Sequence, residues 1–226
     1  YQPHWAWSPL AEDDGRSIDE YLTEGFRGLA PNPRAPGGVV LRRTWLAVVG
    51  LPPPREVLLS FPDSPTDEEW SAALDEVLHH EGFGEHWASM WLDLARYADT
   101  KGYEADRART IWPWREWLVA TLDADPAFAT LTEHMLAGDL LPEANAETRL
   151  ATAFHRNTMT NDEGGTDDEE HRVAAVVDRV NTTMQVWMGF TASCAQCHDH
   201  KYDPMTQREY FALFDVFNQT ADADRN

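Results

Sequence analysis

The sequence predicts an all-α fold, an irregular multi-helix domain, on three observations. Ser/Thr-x-x-Glu capping boxes recur along the chain, apolar residues follow the helical period, and no strand-like alternation stands out. In a capping box the hydroxyl and the carboxylate reciprocally satisfy the first free amides of a helix. Ser17 with Glu20, Thr66 with Glu69, Thr130 with Glu133, Thr166 with Glu169 and Thr206 with Glu209 all fit.

Taken in order, Ser17 opens the first helix, and residues 31–38, rich in Pro and Gly, read as a loop. Residues 50–54 end the next helix. Thr66 starts a helix with the stripe Trp70, Leu74, Val77 and Leu78. Trp87, Trp91, Leu94 and Ala95 form another stripe that continues to Tyr97, and Trp114, Trp117, Leu118 and Leu122 a third. Thr130 marks a further start. Gly164-Gly165 forces a turn ahead of Thr166, after which Val173, Val176, Val177 and Val180 lead into a helix expected to run on towards Cys194. Thr206 caps the last helix, striped by Tyr210, Leu213, Phe214 and Phe217. No internal repeat is visible. The chain reads as a single domain, 1–226, divisible into an N-terminal subdomain 1–105 and a subdomain 106–226 that carries both cysteines.

At 226 residues the chain can bury roughly 70–75% of its unfolded surface, so neither metal nor disulfide is required for folding. Eighteen basic against thirty-nine acidic residues give a net charge of −21, which argues against nucleic acid and anionic membrane surfaces. It suits a secreted protein, a basic partner or divalent cations. No apolar run approaches the roughly 20 residues of a membrane helix. No signal peptide is visible and the chain begins at Tyr1, so it reads as a processed or excised segment.

Residues 194–198 spell Cys-Ala-Gln-Cys-His, the attachment signature of c-type haem. Two sulfurs three residues apart share one helix face and can bond both haem vinyl groups. His198 then projects towards the iron as its proximal ligand. Trp187, Phe190, Cys194 and Cys197 follow helical spacing, and Trp187 and Tyr202 are expected to pack near the porphyrin. Other readings stand beside this one. A thioredoxin-like pair wants a preceding strand, a zinc site would crowd Cys194, Cys197, His198 and His200 into seven residues, and a disulfide is sterically open. His200 lies about 200° round a helix from His198, so it is expected to hydrogen-bond locally rather than reach the opposite haem face. Met159, Met184, Met188, Met205, His4, His86, His134, His155 and His171 remain formal distal ligands, as does an open site.

A second constellation runs from Arg156 to Arg172. Asp162, Glu163 and Asp167 flank the glycine pair and are of the type that binds calcium, although their spacing is not that of an EF-hand; the plainer reading is an acidic first turn. Arg156 and Arg179 are available to these acids or to haem propionates. Arg96, Asp99 and Glu104 form a further polar set at a helix exit, either beside a cleft or fastened by salt bridges.

These segments together resemble a known family. They are His-Trp-Ala at 4–6, Gly-Leu-Pro-Pro at 50–53, Trp-Leu-Asp-Leu-Ala-Arg-Tyr-Ala-Asp at 91–99 and Leu-Ala-Gly-Asp-Leu-Leu-Pro at 136–142. Arg156-Asn157, Asn-Asp-Glu-Gly-Gly at 161–165, Asp178-Arg179 and the run from Cys194 to Pro204 complete the set. The chain resembles the first of two uncharacterised domains of large secreted planctomycete proteins, in which a cytochrome c-like domain often comes first. The resemblance implies an exported, haem-associated protein, and the reading is an extracytoplasmic monohaem carrier of single electrons, found in the periplasm or outside the cell. Its partner would be a redox protein, basic in charge, and a homo-oligomer is open. The rival readings are a haem-dependent oxidase or peroxidase assisted by Arg156, Asn161 or Glu163, and a structural or carbohydrate-associated module with a disulfide or metal clip.

Overall fold

The computed structural model describes residues 4–161 and 163–220. Among the described residues there are ten α-helices and no strand, the one β feature being an isolated antiparallel bridge between Thr100 and Ala108. The helices are α1 Ile18–Gly25, α2 Gly37–Val48, α3 Arg55–Ser60, α4 Asp67–Leu78, α5 Gly82–Leu94, α6 Trp112–Asp123, α7 Phe128–Ala137, α8 Ala146–Ala151, α9 Asp168–Thr183 and α10 Gln207–Asn218.

Three of the five expected boxes form as drawn, at Ser17, Thr66 and Thr206. The other two starts are displaced. Helix α7 begins at Phe128, because Asp125 in a left-handed conformation (φ 47°) and Pro126 turn the chain before Thr130 is reached. At α9 the carboxylate of Asp167 caps instead of Thr166, accepting from the amides of Glu169 and Glu170, while the Thr166 hydroxyl donates to the Glu163 carbonyl. An unforeseen box, Asn145 with Thr148, starts α8. Residues 31–36 do form a loop, but Gly37 and Gly38 already belong to α2, since the Gly37 amide is drawn in by the Asp63 carbonyl at 2.8 Å.

Three apolar cores result. Leu41, Trp45 and Val49 of the α2 region meet Val77 of α4, with Val57 and Phe61 alongside. Ala88 and Ala95 from the α5 region, Trp114 and Leu118 of α6, Leu131 and Met135 of α7, and Phe154 form the central core. Val180, Phe190, Ala192, Ala195, Met205 and Tyr210 form the third. The first two are joined by the Trp87 indole donating to the Val48 carbonyl at 3.1 Å. Helices α5 and α6, on either side of residue 105, share the central core.

Helices α9 and α10 lie antiparallel, with Arg172 donating to Asn218 at one end and Tyr210 to Asn181 at the other. The helix expected to run on to Cys194 stops at Thr183. A π turn, Met184–Met188, and Gly189 with φ 71° then redirect the chain, so Trp187 faces the central core and Phe190 the third.

Candidate functional site

Cys194 sits on a 3₁₀ turn, Ala192–Gln196, and Cys197 caps its end, at the Asn181–Tyr210 end of the helix pair. Ala192 and Ala195 are buried in the third core, which leaves Cys194 and Cys197 outside, both exposed and both free thiols. The Cys197 amide donates to the Cys194 carbonyl at 3.4 Å, the three-residue hydrogen bond that ties the two cysteines across the end of the turn. The turn is fixed from behind: Gln207 donates from its side chain to the Gln196 carbonyl at 2.9 Å, and its amide to Asp199 at 2.9 Å.

His198 is exposed, and its Nδ1 lies 2.8 Å from the Asp199 carbonyl. A carbonyl only accepts, so Nδ1 carries the proton and the neutral ring keeps its lone pair on Nε2. A ring fixed through Nδ1 in this way presents Nε2 to a metal. These residues fit the covalent haem that the motif implies in their chemistry: two exposed free thiols three residues apart and an imidazole held through Nδ1 beside them. His200 behaves differently. Its Nδ1 accepts the amides of Tyr202 and Asp203 at 3.2 and 2.8 Å, and the loop to Met205 closes round it. The expectation that His200 would bond locally holds.

The aromatic residues expected beside the porphyrin are divided. Trp187 belongs to the central core, 5.0 Å from the Phe154 ring and 6.0 Å from Trp91, with its indole donating to Thr132 at 3.1 Å. Tyr202 stays on the loop after the cysteines, 65% exposed, with the Lys201 ammonium 5.0 Å from its ring.

The polar sets of 96–104 and 156–178 meet elsewhere, in a cleft of about 380 Å³ against the first half of α9. Ala98, Met159, Ala174 and Ala175 give it apolar walls. Arg96 donates to Asp178 at 2.6 Å, and the Thr158 hydroxyl donates to the same carboxylate oxygen. Arg109 locks the loops together by donating to the carbonyls of Ala98, Arg156, Asn157 and Thr158, at 2.8–3.2 Å. The loop from 96 to 106 carries left-handed backbone at Arg96, Gly102, Tyr103 and Asp106, and Met159 packs where a Gly102 side chain would stand. Behind it His155 is buried between Phe154 and Phe217 with neither ring nitrogen hydrogen-bonded, and burial followed by the charges of Arg179 and Arg96 lowers its pKa to about 3.

The acids proposed for calcium have other work. Glu163 accepts the Ala105 amide at 2.7 Å and Asp167 caps α9, while Asp162 lies outside the described residues. Asn161 bonds His171, whose ring meets Tyr103 edge-on. Among the described residues no three His, Cys, Asp or Glu side chains converge as a metal site, and no helix is long and apolar enough to cross a membrane.

The sequence model of the PSCyt2 family, described as a protein of unknown function (DUF1549), matches residues 17–222. The chain belongs to this family. No curated protein and no solved structure matches it. The PSCyt2 match takes in both the cysteine turn and the arginine cleft, so both belong to the family domain. Within this PSCyt2 chain, sequence reading missed Arg109 and Thr158. Arg109 acts through main-chain carbonyls, which leave no trace in sequence, and Thr158 acts through Asp178, twenty residues away.

Proposed function

We propose that this chain is an extracytoplasmic, monohaem c-type cytochrome-like protein that carries single electrons. The observation that carries the reading is the cysteine turn, where two exposed free thiols three residues apart adjoin a histidine whose Nδ1 is held by a carbonyl, leaving the lone pair on Nε2. Cys194 and Cys197 would hold the group by adding their S–H bonds across its two vinyl groups, and His198 would ligate the iron. Haem, when bound, supplies one-electron chemistry at its iron. The rest of the site is structural: Ala192 and Ala195 anchor the turn, and Gln207 fixes its exit.

The resemblance to secreted planctomycete proteins with a cytochrome c-like domain supports export and redox work. An electron carrier is favoured over a haem oxidase because Asn161 and Glu163, two of the three residues that would assist peroxide, lie by the start of α9. His171, bonded to Asn161, and Val180, packed under the cysteine turn, are nine residues apart, about 14 Å along the axis. The acidic surface suits a basic redox partner, with encounter rates that fall as ionic strength rises.

The test is expression with a c-type cytochrome assembly system, followed by intact mass and a pyridine haemochrome spectrum. One haem added covalently is expected, and none in the Cys194→Ser, Cys197→Ser double variant. An unchanged mass, in cells that mature a control cytochrome, refutes the proposal.

A further inference from the structure

Helix α1 stands apart from the three cores. None of its residues is buried, yet Ile18, Tyr21 and Leu22, followed by the C-cap Phe26, fall on one stripe; Ile18 is 77% exposed and Leu22 56%. The helix is nonetheless well formed. Its capping box is complete, Arg16 bridges Asp14 and Glu24, and the Arg16 guanidinium covers the Tyr21 ring at 3.9 Å. At 100° per residue, Asp19 and Glu24 flank the stripe on opposite sides.

On α2 and α3 there is a groove of about 440 Å³ with complementary properties. Val39, Leu46 and Leu58 give it an apolar floor, and Val39 and Leu46 are each about two-fifths exposed. Arg42 and Arg43 lie between them and outnumber Asp63, the one acid among the described residues lining the groove. Among the described residues neither forms an ion pair or a hydrogen bond, in a chain where acids outnumber bases by 39 to 18. An acidic helix with an uncovered apolar stripe and a basic groove with an uncovered apolar floor therefore occur in one chain.

We propose that α1 of one copy docks in the α2–α3 groove of a second copy, giving a closed two-fold dimer by exchange of the helix. The connector, residues 26–36, favours docking between copies. Pro31, Pro33 and Pro36 bias Ala30, Asn32 and Ala35 to extended backbone, which disfavours a tight fold-back of α1. After the turn at Arg27 and Gly28, the eight residues 29–36 span up to about 28 Å, enough to cross to a neighbour. Exchange of an identical element closes the symmetry, so each copy gives one helix and receives one. Opposite charges flanking each stripe set the register.

Light scattering coupled to size exclusion tests this on the whole chain. A mass of twice 25.6 kDa is expected at tens of micromolar. The paired variants Asp19→Lys with Glu24→Lys, and Arg42→Glu with Arg43→Glu, should each be monomeric, because each sets like charges face to face. Mixing the two should restore a dimer, since both contacts of the mixed pair then join opposite charges. Circular dichroism confirms folding of each variant, and Leu22→Ser and Leu46→Ser, each expected to weaken the dimer at least tenfold, serve should one misfold. A wild-type monomer at 100 μM overturns the proposal. So does a dimer indifferent to these substitutions, or failure of the mixture to reassociate, the result that docking of α1 within its own chain would give.

Discussion

Lowering the pH from 7.5 to 4.5 asks His155 to take up a proton where nothing receives it. The ring is 8% exposed, packed against Phe154 and Phe217, and both nitrogens lack a hydrogen-bond partner. The charged groups that lower its pKa are the guanidinium groups of Arg179 from α9 and Arg96 from the exit of α5. Its folded pKa, about 3, lies well below the 6.5 of an unfolded histidine. The unfolded chain therefore binds the proton first. The stability tied to a neutral His155 is fully present above pH 6.5 and is lost progressively as the pH falls towards 3. At pH 4.5 the loss amounts to about 2–3 kcal/mol, a large share of the roughly 5–15 kcal/mol of a typical domain. Urea unfolding followed by tryptophan fluorescence, at both pH values, measures it. His155→Phe supplies the reference, since it keeps an aromatic ring between Phe154 and Phe217 and removes the titration. Other acid-sensitive groups cancel between the two proteins, so wild type should lose about 2–3 kcal/mol more than the variant. Equal losses, to within about 0.5 kcal/mol, would refute the reasoning, as would a His155 resonance titrating near pH 6.5.

Two further substitutions probe the framework. A Cβ on Gly138 would stand 2.1 Å from the Thr148 carbonyl oxygen, so Gly138→Ala should force α7 from α8 and cost about 3 kcal/mol, roughly 6–12 °C in thermal midpoint; a loss under about 1 kcal/mol would contradict that contact. The Arg96–Asp178 pair is about one-third exposed, so solvent screening limits it, and a double-mutant cycle of Asp178→Asn with Arg96→Met should return a coupling of about 1–2 kcal/mol; additive effects would show the pair contributes nothing.

The helices were legible wherever one local chemistry decided them. The boxes at Ser17, Thr66 and Thr206 had no competitor nearby. Of the predicted stripes, Trp91 and Ala95 of the α5 region meet Trp114, Trp117, Leu118 and Leu122 of α6 in one core, while Trp87 turns to the Val48 carbonyl and Leu94 stays exposed. Reading failed where two neighbours offered the same service. Asp167 displaced Thr166 as cap, because a carboxylate one residue on reaches two amides at once. The continuation of α9 to Cys194 failed for a different reason. Trp187, Phe190 and Cys194 keep helical spacing in the sequence, but a π turn and Gly189 break the register between them. The cysteine turn could be read because its parts adjoin in sequence. The arginine cleft could not, because Arg96 and Asp178 are joined across 82 positions and Arg109 bonds carbonyls 47–49 residues away.

That difference in sequence span also orders assembly. Every hydrogen bond described for the cysteine turn and the loop after it closes within eleven residues, from Gln196 to Gln207 at the widest. Loop closure over such spans costs little entropy and takes on the order of 10–100 ns. The arginine cleft must wait until distant parts of the chain have met. The local hydrogen bonds of the cysteine turn can therefore form early, and burial of Ala192 and Ala195 against Val180 of α9 and Tyr210 of α10 then fixes it. An attachment reaction on Cys194 and Cys197 needs only this short stretch, and the later closing of the central core leaves it on the outside.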